Sequence, residues 1–140
     1  MTNESETTMR SAGGLVWTGR ILSILAILFL TMDGVMKLAG VPVVGDAMKQ
    51  LGWPADPGTL RMLAVLLLGS TLLYAIPRTS VLGAILLTGY LGGTVATHVR
   101  VGNPLLSHVL FGVYIGVMVW AGLWLRNPSL RAVLPIRSNS

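Results

Sequence analysis

The stretch Ser80–Arg100, SVLGAILLTGYLGGTVATHVR, decides the fold. No charge interrupts the chain between Arg78 and Arg100, and at about 1.5 Å of rise per helical residue the segment covers about 30 Å, the depth of a bilayer's hydrocarbon core. It is expected to cross a membrane as a helix. Its second half carries Tyr90, Thr94, Thr97 and His98 in one sector of the helical wheel, with Gly89 and Gly93 in an adjacent row. A small and polar face of this kind needs neighbouring helices to cover it.

Composition points the same way. The 140 residues are 53% hydrophobic and 11% charged, with a mean hydropathy of +0.73, whereas soluble domains are about a quarter charged. The net charge is +5, but the lysines and arginines are scattered singly, without the clusters and interleaved aromatics that track a phosphate backbone. They read as topology determinants, and nucleic-acid binding is not expected. The chain has no cysteine, which excludes disulfide-relay chemistry, thiolate metal sites and Cys-ligated iron–sulfur clusters within it.

On either side of Ser80–Arg100 lie three further apolar stretches. Residues 1–14 are polar and read as a disordered tail. The first span runs over about 15–38 and includes Arg20 and Asp33. Its length, the internal Asp33 and the lack of a small-x-small pattern after Lys37 favour a retained helix over a cleaved signal peptide. A connector follows in which Pro42 can start a short helix, Val44, Ala47, Met48 and Leu51 share one face, and Gly52 with Pro54 ends it. This reads as an amphipathic interfacial helix over about 42–52, with Trp53 at the interface, although a flexible loop is the competing reading. The second span covers about 59–76. Pro77–Thr79 forms a turn so short that the third span, about 80–100, must be its antiparallel neighbour, and the turn from Arg100 to Pro104 does the same for a fourth span at about 105–125. Residues 127–140 read as a basic C-terminal tail. The expected fold is therefore all-α, an integral membrane four-helix bundle with a short amphipathic helix between the first two spans.

With this topology both termini share one side. That side holds Arg10, Arg20, Arg78, Arg126, Arg131 and Arg137, against Lys37, Lys49, Arg61 and Arg100 opposite. The bias predicts cytoplasmic termini. Gly89-x-x-x-Gly93 and Gly112-x-x-x-Gly116 are expected to let helices approach closely, within the bundle or toward a membrane partner or second copy.

An ionised carboxylate in hydrocarbon costs at least about 2.5 kcal/mol at mid-bilayer, so Asp33 should turn inward, and Lys37, one turn on, is its nearest partner. In the antiparallel arrangement Asp33, Lys37, Arg61, His98, Arg100 and His108 all converge on the non-cytoplasmic end. Asp33, His98 and His108 are the candidate proton-handling, catalytic residues. Lys37, Arg61, Tyr90, Thr94, Thr97 and Arg100 are the candidate ligand contacts. Each also has a structural reading: a neutralising pair for Asp33 and Lys37, snorkelling for Arg61 and Arg100, and satisfaction of backbone carbonyls for the histidines. His108 shares its face with Gly112, Ile115 and Val119, a bundle-facing position on a regular helix. No metal site is expected, because just two helices offer a His, one each, with no i, i+3 or i, i+4 repeat and no second carboxylate.

At these residues the sequence resembles the DoxX-like family of small bacterial membrane proteins. The likeness is carried by Asp33-Gly-Val-Met-Lys-Leu38, Leu51-Gly-Trp-Pro54, Ile76-Pro-Arg-Thr-Ser-Val-Leu-Gly-Ala84, Thr88-Gly-Tyr-Leu-Gly-Gly-Thr-Val-Ala-Thr-His-Val-Arg100 and Trp120–Arg126. It runs from about Ile21 to Leu134. The resemblance implies a four-helix protein of the bacterial inner membrane. It also implies an association with quinone-linked respiratory oxidation, as in the small subunit of a thiosulfate:quinone oxidoreductase, or with membrane complexes of oxidative-stress defence. It transfers no catalytic motif, so the site residues rest on their chemistry. No flavin or nucleotide motif is present, so electron transfer would draw on a bound cofactor or a partner. Two functions follow as expectations. One is an accessory subunit binding a quinone or another isoprenoid-like molecule. The other, suggested by a distant likeness to eukaryotic membrane chaperones, is a non-enzymatic chaperone or scaffold. A transporter ranks below both, since the polar groups gather at one end instead of lining a path.

Overall fold

Short connections determine which helices lie side by side. The computed structural model describes residues 2–134; Met1 and residues 135–140, which include Arg137 of the expected basic tail, lie outside the described residues. Helix α1 (Thr2–Ala39) is followed by α2 (Pro42–Gln50), α3 (Pro57–Ala75), α4 (Ser80–Arg100), a π-helical turn (Leu105–Val109), α5 (Phe111–Arg126) and α6 (Pro128–Val133). Four helical segments, Asn3–Ala39, Pro57–Ala75, Ser80–Arg100 and Leu105–Arg126, are long and apolar enough to cross a membrane. Helix α1 packs on α3 and α5, and α4 packs on the same two, which closes a four-helix bundle.

Sequence chemistry explains the helix boundaries. Helix α1 stops at Gly40, whose φ of 64° lets Val41 N–H reach back to the Met36 carbonyl at 3.3 Å. Helix α3 starts at Pro57, two residues before the expected Thr59, because Asp56 caps it by accepting from the Thr59 amide at 3.0 Å and the Thr59 hydroxyl at 2.6 Å. These bonds, the hydroxyl's first, hold the Asp56 carboxyl below the usual carboxylate range. The cap is therefore in force at neutral pH and fades as pH falls through that lowered value. After α4, Gly102 (φ 72°) lets the Asn103 amide bond the His98 carbonyl at 3.1 Å.

Both terminal segments are helical next to the bundle over their described residues. Residues 2–14 continue α1 as a helix, exposed over residues 3–14, since Thr7, Thr8 and Ser11 turn their hydroxyls onto carbonyls of the preceding turn and Glu4 sits favourably at the N-terminal end. Past the fourth span, Asn127 caps α6 through the Ser129 and Leu130 amides, Leu130 is buried, and Trp124 Nε1 donates to the Leu134 carbonyl at 3.1 Å. The start of the basic tail is thus folded back onto the bundle.

One end of the bundle is tightly clamped. Tyr74 is fully buried, shares a hydrogen bond of 2.9 Å with Ser23 on α1 and donates to the Val119 carbonyl on α5 at 2.7 Å. Small residues make this approach feasible: a Cβ on Gly83 would overlap the backbone of Tyr74, one on Gly19 would lie 2.8 Å from the Gly122 carbonyl, and one on Gly122 2.6 Å from Ser23 Oγ. Arg126 closes the end with its guanidinium 5.2 Å from the Tyr74 ring centroid. The outward faces carry Ile24, Leu28, Val65, Leu72, Ile85 and Val117, each more than half exposed; in water this surface would aggregate, and hydrocarbon is its natural solvent.

The clamp predicts opposite outcomes for two glycines of α4. Gly83→Leu should abolish recovery of monodisperse protein in detergent, whereas Gly92→Ala, where a Cβ meets nothing within 4 Å, should leave the melting temperature unchanged or higher. Tyr74→Phe should destabilise the bundle by about 1 kcal/mol, read from thermal or denaturant melting of the purified protein.

Candidate functional site

At the end opposite Tyr74 the helices leave a cavity of about 540 Å³. Its wall is mostly apolar, with Phe29 and Leu30 from α1, Leu63 from α3, Leu91 from α4, and Phe111 and Ile115 from α5 and the residues that start it. The Phe29 and Phe111 rings meet edge to face at 5.2 Å between centroids. Helix α2 and the residues after it form the roof through Val43, Val44, Ala47, Met48, Leu51 and Trp53. The expected amphipathic helix is therefore present, and its apolar face covers the cavity.

Polar groups are few and grouped. Asp33, Lys37, Tyr90, Thr94, Thr97 and His98 all line this cavity, the last four from one sector of α4. Lys37 Nζ bonds Asp33 Oδ2 at 2.5 Å along one face of α1, with the Lys37 side chain 13% exposed and that of Asp33 36%. The two charges neutralise each other, which makes their burial tolerable; removing either would leave the other uncompensated. Thr94 and Thr97 donate to the carbonyls of Tyr90 and Gly93, at 3.2 and 2.9 Å, so their hydroxyl oxygens remain as acceptors. The Asn103 amide lies 2.7 Å from His98 Nδ1. With that nitrogen accepting, the neutral ring carries its proton on Nε2, which is left as a donor.

Three expected site residues are placed elsewhere. His108 is exposed and does not line the cavity; its ring centroid is 5.8 Å from that of His98, and its Nδ1 is bonded to Ser107 Oγ at 2.7 Å. The cause is the π-helical turn, in which Val109 and Leu110 bond back five residues, to Pro104 and Leu105. The extra residue in that turn breaks the 3.6-residue register that put His108 on the face of Gly112 and Ile115. Arg100 also points away: its Nη2 donates to the Leu51 carbonyl at 2.7 Å, satisfying an orphan acceptor at the end of α2. It ties the roof to α4. Arg61 lines a separate crevice, described below.

The glycine motifs are also divided differently. Gly112 packs against α4, where a Cβ would come within 3.0 Å of Val95 and 3.2 Å of the Leu91 carbonyl, and Gly116 faces Leu91; this pair is used inside the chain and is not a free partner face. Gly89 and Gly93 have nothing within 4 Å of a Cβ position. They line the cavity and widen it. Phe29, Phe111, Met48 and Asn103 were not anticipated as site residues. The first three look like ordinary core residues in sequence, and only the proximity of Asn103 to the end of the His98 helix gave a signal.

An apolar chamber with an imidazole, a neutralised ion pair and hydroxyl acceptors can seat a molecule with a hydrophobic body and a polar head. Its volume lies inside the range of about 300–1,000 Å³ typical of small-molecule pockets. Among the described residues, His, Asp and Glu nowhere gather in a group of three that would hold a metal ion. The model of the DoxX-like family matches residues 21–122, a span that contains every residue of the cavity wall. No curated protein and no solved structure matches the chain.

The tie from Arg100 predicts that Arg100→Gln loosens the roof without unfolding the bundle. Amide exchange over residues 43–53 should rise at least about fivefold, in line with loss of one charge-assisted bond, while exchange around Tyr74 stays unchanged.

Proposed function

The chain belongs to the DoxX-like family, and from that premise we propose that it binds a quinone or a similar lipophilic molecule in this cavity, as an accessory subunit of a membrane redox complex. The observation that carries the reading is the single chamber that joins an apolar body to Asp33, Tyr90 and His98 at one end. Oxidation or reduction of a quinone moves protons together with electrons. The His98 imidazole, which lines the cavity, is the group suited to exchange a proton with the bound head, while Tyr90 can donate a hydrogen bond to a carbonyl oxygen. Electrons would come from or go to a partner, since the chain's own residues offer no carrier.

A scaffold or chaperone is the second reading, and one observation favours it. Gly89, Gly92 and Gly93 leave an unobstructed strip along α4 where a partner helix can approach. The two readings separate at adjacent positions, because Gly93 lines the cavity and Gly92 does not. Under the ligand reading, a ubiquinone analogue quenches Trp53 fluorescence in the wild type, Gly93→Leu or Trp53→Phe removes the response, and Gly92→Leu keeps it. Quenching that is indifferent to Gly93→Leu, joined with loss of partner capture in Gly92→Leu, would favour the scaffold.

For location we infer the bacterial inner membrane with both termini cytoplasmic. Arg20, Arg78 and Arg126 lie at the clamped end of the bundle and Lys37, Arg61 and Arg100 at the other, with Arg10 and Arg131 on the terminal segments of the clamped end. Because the chain has no cysteine, a single Thr8→Cys variant can be read directly. A membrane-impermeant maleimide should label it in inverted inner-membrane vesicles and not in intact spheroplasts, and the reverse pattern would invert the topology.

A further inference from the structure

Beside the cavity, and separated from it by Lys37, lies a second hollow of about 480 Å³ with different chemistry. Its walls come from the end of α1, the polar face of α2 and the start of α3, and Leu60 forms its apolar base. Each helix contributes one cation: Lys37, Lys49 and Arg61. The acid within the crevice, Asp46, is 3.9 Å from Lys49, and both side chains are about 70% exposed, 70% for Lys49 and 71% for Asp46. Such a pair is weak and readily exchanged. Arg61 has no hydrogen-bond or ion-pair partner among the described residues. Gly40 and Gly45 leave the walls open, with nothing within 4 Å of a Cβ position. Lys37 is already matched by Asp33 and Lys49 loosely by Asp46, so among the described residues Arg61 is the cation that faces this space without a counter-charge.

Depth adds a second argument. Lys37 lies in the last turn of the first span and Arg61 in the second turn of the span that starts at Pro57. Both therefore sit where hydrocarbon gives way to headgroups. A group with an apolar stem and an anionic, multi-oxygen head fits an apolar base ringed by a guanidinium and two ammonium groups. We propose that this crevice binds a phosphate ester group, with Arg61 and Lys49 as its principal donors. Lys37 is shared with the cavity, so a phosphate in the crevice draws its ammonium from Asp33 and couples the two sites. The assignment does not depend on what occupies the larger cavity.

Native mass spectrometry of the full chain in a phosphate-free detergent tests it. The wild type is titrated separately with a short-chain phosphatidylglycerol, with the diacylglycerol of the same chains, and with inorganic phosphate as competitor. One phosphatidylglycerol should bind per chain and diacylglycerol should not. The double variant Lys49→Gln/Arg61→Gln should lose at least about tenfold in affinity for the phosphatidylglycerol, as expected for charge-assisted bonds. Both side chains are exposed, and an unchanged melting temperature verifies the variant's fold. Displacement by millimolar inorganic phosphate assigns the site to the free anion, and retention against it assigns the site to a lipid headgroup. Equal binding by wild type and double variant, or equal binding of diacylglycerol, overturns the proposal.

Discussion

The Tyr74 hydroxyl is the constraint on which the rest of the structure depends. It is buried between helices, bonded to Ser23 on α1 and to the Val119 carbonyl on α5, and held on α3 by the glycine-tight contact with α4 at Gly83. All four spans are therefore joined at one point. In hydrocarbon there is no hydrophobic force to drive helices together, so close packing and satisfied polar groups must do so. Because the clamp is at one end, the helices need not close at the other. The volume left there is roofed by α2, and it becomes a chamber with its own chemistry.

That chamber shows how a membrane protein places charge at tolerable cost. Asp33 and Lys37 are one turn apart and cancel each other before either meets the apolar wall. The threonine hydroxyls satisfy their donors within their own helix, and His98 is oriented by an amide from the turn that follows it. The remaining capacity, the hydroxyl acceptors and the His98 imidazole, borders a space otherwise lined mostly by apolar side chains. Lys37 touches both this space and the cationic crevice, so its position is the physical link between the lipophilic chamber and the membrane surface.

Much of this was legible in the sequence because two periodicities are strong. Apolar, charge-poor runs of about bilayer length gave the spans, the short Pro and Gly turns gave their antiparallel order, and the wheel positions of Tyr90, Thr94, Thr97 and His98 put them on one face that the structure turns inward. Asp33 with Lys37 followed from spacing alone. What was not legible involves geometry that spacing cannot report. A π-helical turn shifts the register before Phe111, which moves His108 out of the site. Arg100 is used by a carbonyl 49 residues earlier in the chain. Glycines look identical in sequence whether they are pressed against a neighbour, as Gly19, Gly83 and Gly122 are, or left open, as Gly89 and Gly93 are. The exposed helical extension before Leu15 was hidden by its polar composition, which is equally compatible with a disordered tail.

The central claim is that a bundle clamped at Tyr74 holds a lipophilic molecule at its opposite end. Photoaffinity labelling in native membranes with a diazirine-bearing quinone analogue, mapped by peptide mass spectrometry, measures this most directly. The account predicts labels concentrated on Phe29, Met48, Phe111 and Ile115 and suppressed by excess unlabelled quinone. Labels spread over the outward-facing Leu28, Leu72 and Val117, without competition, would contradict it.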